Sequence, residues 1–266
     1  MTGKTLAAAL LAAAMLAGTT PAVASPPVPY GDERPGPAGA GPRLADLGPW
    51  PKLPPAPKPQ RVRLKSSGEY IQTVLRIPVD QKVVFITIDD GGYQPPEAGR
   101  VLREANIPTS LFLISSPATQ HPDFFRQLQA ERATIQAHTQ SHKQLKGLPE
   151  QTQRFEICGS VDKLEGVAGR RPTLFRPPYG VYDLTTLKVA QSCGGLVAMM
   201  MWEGSVIGGV LYIAQHPFHP VNNPVYPGMV LLMHFTPDFE RDMHVLLNAI
   251  AASPGYSVAR LEDYVN

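Results

Sequence analysis

Short runs of apolar residues alternate along the chain with segments in which apolar side chains recur every three or four positions. Val83-Val84-Phe85-Ile86-Thr87-Ile88 is almost continuously β-branched or aromatic, the pattern of a strand buried on both faces. Residues 109–114, 133–137, 174–175, 196–200 and 229–233 carry similar short runs and predict further strands. Between them, Ile157, Val161, Leu164 and Ala168 fall at i, i+4, i+7 and i+11, with Gly169 placed to stop the helix. Met243, Leu246, Leu247 and Ile250 form a second stripe near the C-terminus. Both stripes read as core faces. Strands and helices alternating at this density predict an α/β fold of parallel strands wrapped by helices, most simply a barrel. The span 61–266 suffices for one such domain with fewer units than the usual eight.

Upstream of residue 61 the pattern changes. Lys4 and an unbroken apolar run over 6–17 precede Ala22-Val23-Ala24. This reads as a secretory signal over residues 1–24, with the mature chain beginning at Ser25; an uncleaved anchor helix is the alternative. Leu16-Ala17-Gly18-Thr19 has Thr where lipidation requires Cys, so no lipid anchor follows. Residues 25–60 hold twelve of the 29 prolines, with Gly and Ala between them. Such a segment cannot bury enough surface to offset chain entropy and predicts a solvated, disordered linker. A spacer through a cell wall and a leader without a role are equally open. Leu44, Leu47, Trp50 and Leu53 are its side chains able to pack on the domain.

Composition narrows the function classes. Of 266 residues, 43% are hydrophobic and 17% charged, which supports a folded core. Lys+Arg 24 against Asp+Glu 22 leaves no basic excess, which argues against a nucleic-acid partner. After the signal, no run approaches the ~20 apolar residues of a membrane span, so no membrane insertion of the mature chain is expected. Cys158 and Cys193 sit in predicted helices of successive βα units, side by side, in a chain bound for an oxidising compartment. A disulfide is expected, with two buried free thiols as the alternative.

In parallel sheets, reactive groups collect at the carboxyl ends of strands. Thr87-Ile88-Asp89-Asp90-Gly91 ends the strongest strand with adjacent carboxylates, although Asp-Asp-Gly is also good turn chemistry. His138 and His142 follow the 133–137 strand. Their i, i+4 spacing would put both imidazoles on one face of a helical turn, and it also suits two solvated or core histidines. With Asp90 they make two nitrogens and a carboxylate, the three ligands plus open position of a catalytic zinc-type site. Arg176-Pro177-Pro178-Tyr179-Gly180 follows another strand; its prolines stiffen the loop, so Arg176 could orient Asp89. Exposed backbone N–H groups of that loop could stabilise an oxyanion. Leu231-Leu232-Met233-His234 delivers a histidine suited to general acid work, or a core histidine. His216 and His219 lie in a Pro-rich loop and read as decoys, while His121 and His244 read as a loop and a helix-surface residue.

Taken in order, Thr87-Ile88-Asp89-Asp90-Gly91, His138-Thr139-x-x-His142, Arg176-Pro177-Pro178-Tyr179-Gly180 and Leu232-Met233-His234 resemble the polysaccharide deacetylase (NodB-homology) family, carbohydrate esterase family four. The resemblance covers about residues 80–265. It implies an irregular, incomplete (β/α) barrel and metal-dependent hydrolysis of N- or O-acetyl groups on an extracellular polysaccharide. It also implies one divalent metal ion, most simply zinc, held by Asp90, His138 and His142. Asp89 would be the base, Arg176 its holder, the Tyr179 backbone N–H an oxyanion donor and His234 the acid. Leu232 would line a pocket for the acetyl methyl, and Trp202 would wall the groove. Two departures stand out. Ile88 replaces the usual Phe, and Met201-Trp202-Glu203-Gly204-Ser205-Val206 lacks the family's Asp-Trp pair, whose Asp orients the acid histidine. Glu203 and Asp238 are the candidates to replace that Asp. No protein partner is implied, and peptidoglycan, chitin oligomers and acetylated xylan all remain open as substrates. A cell-wall glycan-binding protein with a retained metal and weak turnover is the alternative function. A two-histidine, one-carboxylate iron oxygenase also fits the ligand set, against the βα pattern and the extracellular address.

Overall fold

The computed structural model describes residues 41–64, 68–213 and 225–265. The expected signal segment, residues 25–40, His216 and His219 lie outside the described residues. In chain order the elements are β1 (Thr73–Val74), β2 (Val83–Asp90), α1 (Ala98–Ala105), β3 (Thr109–Leu113), α2 (Ser115–Gln120), α3 (Pro122–Ala130) and β4 (Ala133–Ala137). Then come α4 (Glu150–Ala168), β5 (Leu174–Phe175), α5 (Leu184–Ser192), β6 (Ala198–Met200), β7 (Gly204–Ile207), β8 (Val210–Ile213), β9 (Val230–His234), α6 (Phe239–Ala251) and β10 (Ser257–Val258). The strands form one sheet in the order β1-β6-β5-β4-β3-β2-β9-β7-β8, with β10 beside β2. Every pairing is parallel except the β7–β8 hairpin. An isolated antiparallel bridge, Arg76 to Met229, links the chain just after β1 to the start of β9. The sheet is therefore curled and incompletely closed, the irregular (β/α) barrel expected.

Side-chain alternation divides the core in two. Val84, Ile86 and Ile88 of β2 pack outward with Leu111, Leu113, Ile135, Ala137, Phe175, Leu231 and Met233, against the helices. Val83 and Phe85 pack inward with Phe112, Leu174, Ala198, Met200 and Val230. Because successive strand residues point to opposite faces, the same parity carries Thr87, Asp89, Leu232 and His234 to the inner face near the carboxyl end. Residues His138 and Arg176, one step past Ala137 and Phe175, inherit that inward parity as well. The pattern that builds the core thus aims these polar side chains at one end of the barrel.

The predicted helical stripes hold: Ile157, Val161 and Leu164 are buried on α4, Ala168 packs partly buried, and Gly169 ends the helix at φ 71°. Met243, Leu246, Leu247 and Ile250 are buried on α6. The β7–β8 hairpin was not anticipated, since its turn, Gly208-Gly209, interrupts the apolar run. Both glycines have positive φ (59° and 79°), the conformation a tight two-residue hairpin turn requires.

The described part of the expected linker departs from a solvated spacer. Residues 41–60 run against the domain: the Trp50 ring stacks on His244 at 3.5 Å and its Nε1 donates to Glu104 (3.1 Å). Leu53 packs on the outer core. The Pro55 carbonyl accepts from Ser257, and the Lys58 carbonyl accepts from Gln81 (2.9 Å). His244 is consequently buried rather than on a free helix surface, and burial lowers its pKa. Among the anticipated packing residues, Leu44 stays exposed. No helix among the described residues is long and apolar enough to cross a membrane.

Cys158 of α4 and Cys193, which caps α5, form the expected disulfide across 35 residues. Closing a loop of that length restricts the unfolded chain by about 3–4 kcal/mol. A Cys158→Ala, Cys193→Ala variant is therefore expected to melt about 10 °C lower by calorimetry, given about 2–4 °C per kcal/mol for a domain of this size.

Candidate metal centre and active site

The rim of the barrel is organised by one buried guanidinium. Arg176, 0% exposed, follows β5 and reaches inward. Its Nη1 donates to Asp89 Oδ1 (2.6 Å) and Thr87 Oγ1 (2.9 Å), its Nε to the Met200 carbonyl (3.0 Å) and its Nη2 to the Met201 carbonyl (3.2 Å). Its Cζ lies 4.1 Å from the Phe112 ring centre and 5.5 Å from that of Trp202. A planar, always-charged group with five donors suits this crowded position better than lysine would. Asp89, 2% exposed, is buried with its counter-charge in place.

Alternation alone would send Asp89 and Asp90 to opposite faces. Asp90 instead adopts φ 80°, which ends the extended geometry and brings its carboxylate beside the two histidines. Gly91 follows at φ 83°, where a Cβ would stand 2.7 Å from the Phe125 ring. Asp90 Oδ1 is 3.6 Å from His138 Nε2 and 3.4 Å from His142 Nε2, and the two Nε2 atoms are 3.1 Å apart. A tetrahedral ion with bonds of about 2.0–2.1 Å needs donors about 3.3 Å apart, so the triangle has a fitting size. The chemistry fits too. His138 Nδ1 lies 2.8 Å from the Arg176 carbonyl and His142 Nδ1 lies 3.2 Å from the Tyr179 hydroxyl. A carbonyl can only accept, so His138 carries its proton on Nδ1 and presents the Nε2 lone pair inward. Burial, then the neighbouring His142, pushes the His138 ring down to about 3, so it is neutral at physiological pH. Asp90 Oδ1 is buried without a hydrogen-bond partner. Three electron-pair donors facing one point, one of them otherwise unsatisfied, are what a divalent cation requires.

The histidines do not share a helical turn, as the i, i+4 spacing suggested. The chain from 138 to 142 is irregular, and Thr139 and His142 both have positive φ (64° and 61°). The His142 N–H donates to Thr139 Oγ1 (3.0 Å), closing the loop. Its carbonyls at Thr139 and Gln140 accept from the Ser115 and Ser116 N–H groups (3.0 and 3.1 Å). Its outward N–H groups at Gln140 and Ser141 both donate to Glu156 Oε2 (3.0 Å each).

The other expected residues fall around this centre. His234 ends β9 in register with Asp89, and Leu232 sits one layer below, in register with Thr87 and fully buried. Tyr179 lies in a 3₁₀ turn at φ 59°, its ring 4.6 Å from that of His142. Trp202 is half-buried beside Arg176. Of the carboxylates considered for His234, Asp238 pairs with Arg241 (2.7 Å), and Glu203 faces the Tyr226 hydroxyl, whose pKa burial and then Glu203 raise. His121 is exposed at the start of α3. Thr87 and Glu156 were not singled out from sequence. The available signal was polar Gln153, Glu156 and Ser160 on the buried stripe of α4.

Comparison with known proteins bears on the family and the fold. Residues 76–198 match the polysaccharide deacetylase family model. Asp89, Asp90, His138, His142, Arg176 and Tyr179 lie inside the match; Trp202, Leu232 and His234 lie beyond it. An uncharacterized Streptomyces coelicolor protein is 39% identical over 147 residues, covering 54% of this chain and 59% of that protein. A peptidoglycan-N-acetylglucosamine deacetylase of Bacillus cereus is 28% identical over 162 residues, covering 60% of this chain and 58% of the relative. The chain thus spans a little under three fifths of these relatives. Among solved structures, a family 4 carbohydrate esterase pseudoenzyme from Bacillus anthracis superimposes with a TM-score of 0.60 at 18% identity, covering 72% of this chain and 68% of that one. At that identity the likeness concerns the fold.

The Arg176–Asp89 pair generates a stability prediction. Arg176→Met leaves Asp89 as an uncompensated buried charge and should cost about 3–5 kcal/mol in urea unfolding. Adding Asp89→Asn to that variant should recover part of the loss.

Proposed function

We propose that this chain is a secreted, metal-dependent hydrolase that removes N- or O-linked acetyl groups from a cell-wall or extracellular polysaccharide. The observation that carries the reading is the convergence of Asp90, His138 and His142 at one point, beside an Asp89 clamped by Arg176 and a His234 in register with it. The family match of residues 76–198 supports the reaction class. The name of the Bacillus cereus relative makes peptidoglycan the first glycan to test. The N-terminal signal pattern and the disulfide support export.

Asp90, His138 and His142 would hold the cation, with zinc the expected ion. Such an ion supplies Lewis-acid polarisation of a carbonyl and lowers the pKa of water. Arg176 keeps Asp89 ionised and aimed, so that Asp89 takes the proton from the attacking water. The Tyr179 backbone N–H donates to the carbonyl oxygen as it gains charge. His234, across from Asp89, gives a proton to the departing amine or alkoxide. Leu232 forms an apolar floor for the acetyl methyl, and Trp202 walls the groove.

The chain is expected to release acetate from acetylated peptidoglycan, chitin oligomers or acetylated xylan, to stop on chelation and to resume when zinc is returned. His234→Ala should lower kcat by about 10²–10⁴-fold with KM near its original value, because a proton donor acts mainly in the transition state. Asp89→Asn should remove turnover while retaining the metal. No release from any of these glycans, with glycan binding intact, would favour the binding-protein alternative.

A further inference from the structure

The loop bearing the two histidines has an unusual holder. Glu156 is 1% exposed on α4, and its carboxylate accepts only from the neighbouring residues Gln140 and Ser141 among its hydrogen bonds given by the structure. Oε2 takes both backbone N–H groups at 3.0 Å, and Oε1 takes the Ser141 hydroxyl at 2.7 Å. Lys143 Nζ, at 3.9 Å, is mostly exposed and adds only a screened attraction. Burying a carboxylate costs several kcal/mol unless such bonds compensate it. Here that compensation is concentrated on two residues, and Gln140 stands two positions from each of His138 and His142. The loop needs it. Thr139 and His142 hold left-handed backbone, at about 1–3 kcal/mol each, and relaxation of either would swing an imidazole away from Asp90. The Ser115 and Ser116 N–H groups of α2 secure two of the loop's carbonyls; Glu156 secures its N–H groups at Gln140 and Ser141. Gly159 lets α4 approach, since a Cβ there would stand 2.5 Å from Gln140 Nε2.

The geometry points to Glu156 as a positioning residue that sets metal affinity by holding the 138–142 loop in its ligating shape. This rests on the reading of Asp90, His138 and His142 as the metal-holding set.

The test is zinc titration of the metal-free full chain against a chromophoric chelator, together with the cobalt(II) absorption spectrum, at a temperature where circular dichroism confirms folding. Wild type should bind one equivalent. Glu156→Ala should bind zinc about 10–100-fold more weakly, the usual effect of losing a residue that orients ligands, and should alter the cobalt bands. Glu156→Gln can still accept both N–H groups and present its amide to the Ser141 hydroxyl, so it should restore affinity to near wild type. Ser141→Ala, which removes one bond of three, should fall between. A folded Glu156→Ala protein with wild-type zinc affinity and cobalt spectrum overturns the proposal. Should that variant not fold, Ser141→Ala decides, and unchanged affinity there overturns it. A wild-type chain that binds neither ion instead overturns the metal-site reading itself, before any variant is compared.

Discussion

Arg176 has five N–H donors and no contact with water, so every one of its bonds must be found inside the barrel. Four of them go to Thr87 and Asp89 of β2 and to the carbonyls of Met200 and Met201 at the end of β6. A two-residue strand, β5, could not fix so much by its own ladder. The buried guanidinium does so by tying strands that are not neighbours in the sheet, and its own carbonyl takes the His138 Nδ1 proton. One side chain thereby gives a buried carboxylate its counter-charge, and its backbone chooses which nitrogen of a histidine faces the centre. Replacing a buried ion pair of this kind by well-packed apolar residues is often neutral for stability, whereas removing one partner alone is costly.

Parity and its deliberate interruption build the rest. Regular alternation delivers Asp89, His138, Arg176 and His234 to the same face. What alternation cannot do is place Asp90 beside Asp89, or two histidines of an irregular loop nose to nose. Among the described residues, six non-glycine positions have positive φ, and Asp90, Thr139, His142 and Tyr179 are four of them. Backbone strain concentrated in this way accompanies function more often than packing, and the chain contains it with the hydrogen bonds of α2 and α4.

Much of this was legible in the sequence, for definite reasons. Strands with continuous apolar runs declare themselves, and the motif residues follow those runs directly, so Asp89, Asp90, His138, His142, Arg176 and His234 could be placed at strand ends. Strands β1 and β10, two residues each, carry no periodic signal. The His138–His142 spacing suggested a helical turn because left-handed φ at Thr139 and His142 has no mark in residue type; neither is glycine. Glu156 was hidden by the opposite effect, a charged residue on a stripe read for its apolar members. The proline-rich stretch before residue 61 was read from composition, which reports average solvation and not a single indole stacked on an imidazole.

That stack has a practical bearing. Trp50 lies between His244 of α6 and Glu104 of α1, and Leu53 packs on the outer core beside it in sequence. A recombinant fragment trimmed at the compositional break near residue 61 would bare an indole-shaped hollow and a wetted His244. Such a fragment would invite self-association, however intact its barrel mouth; a cut upstream of residue 41 keeps the belt on.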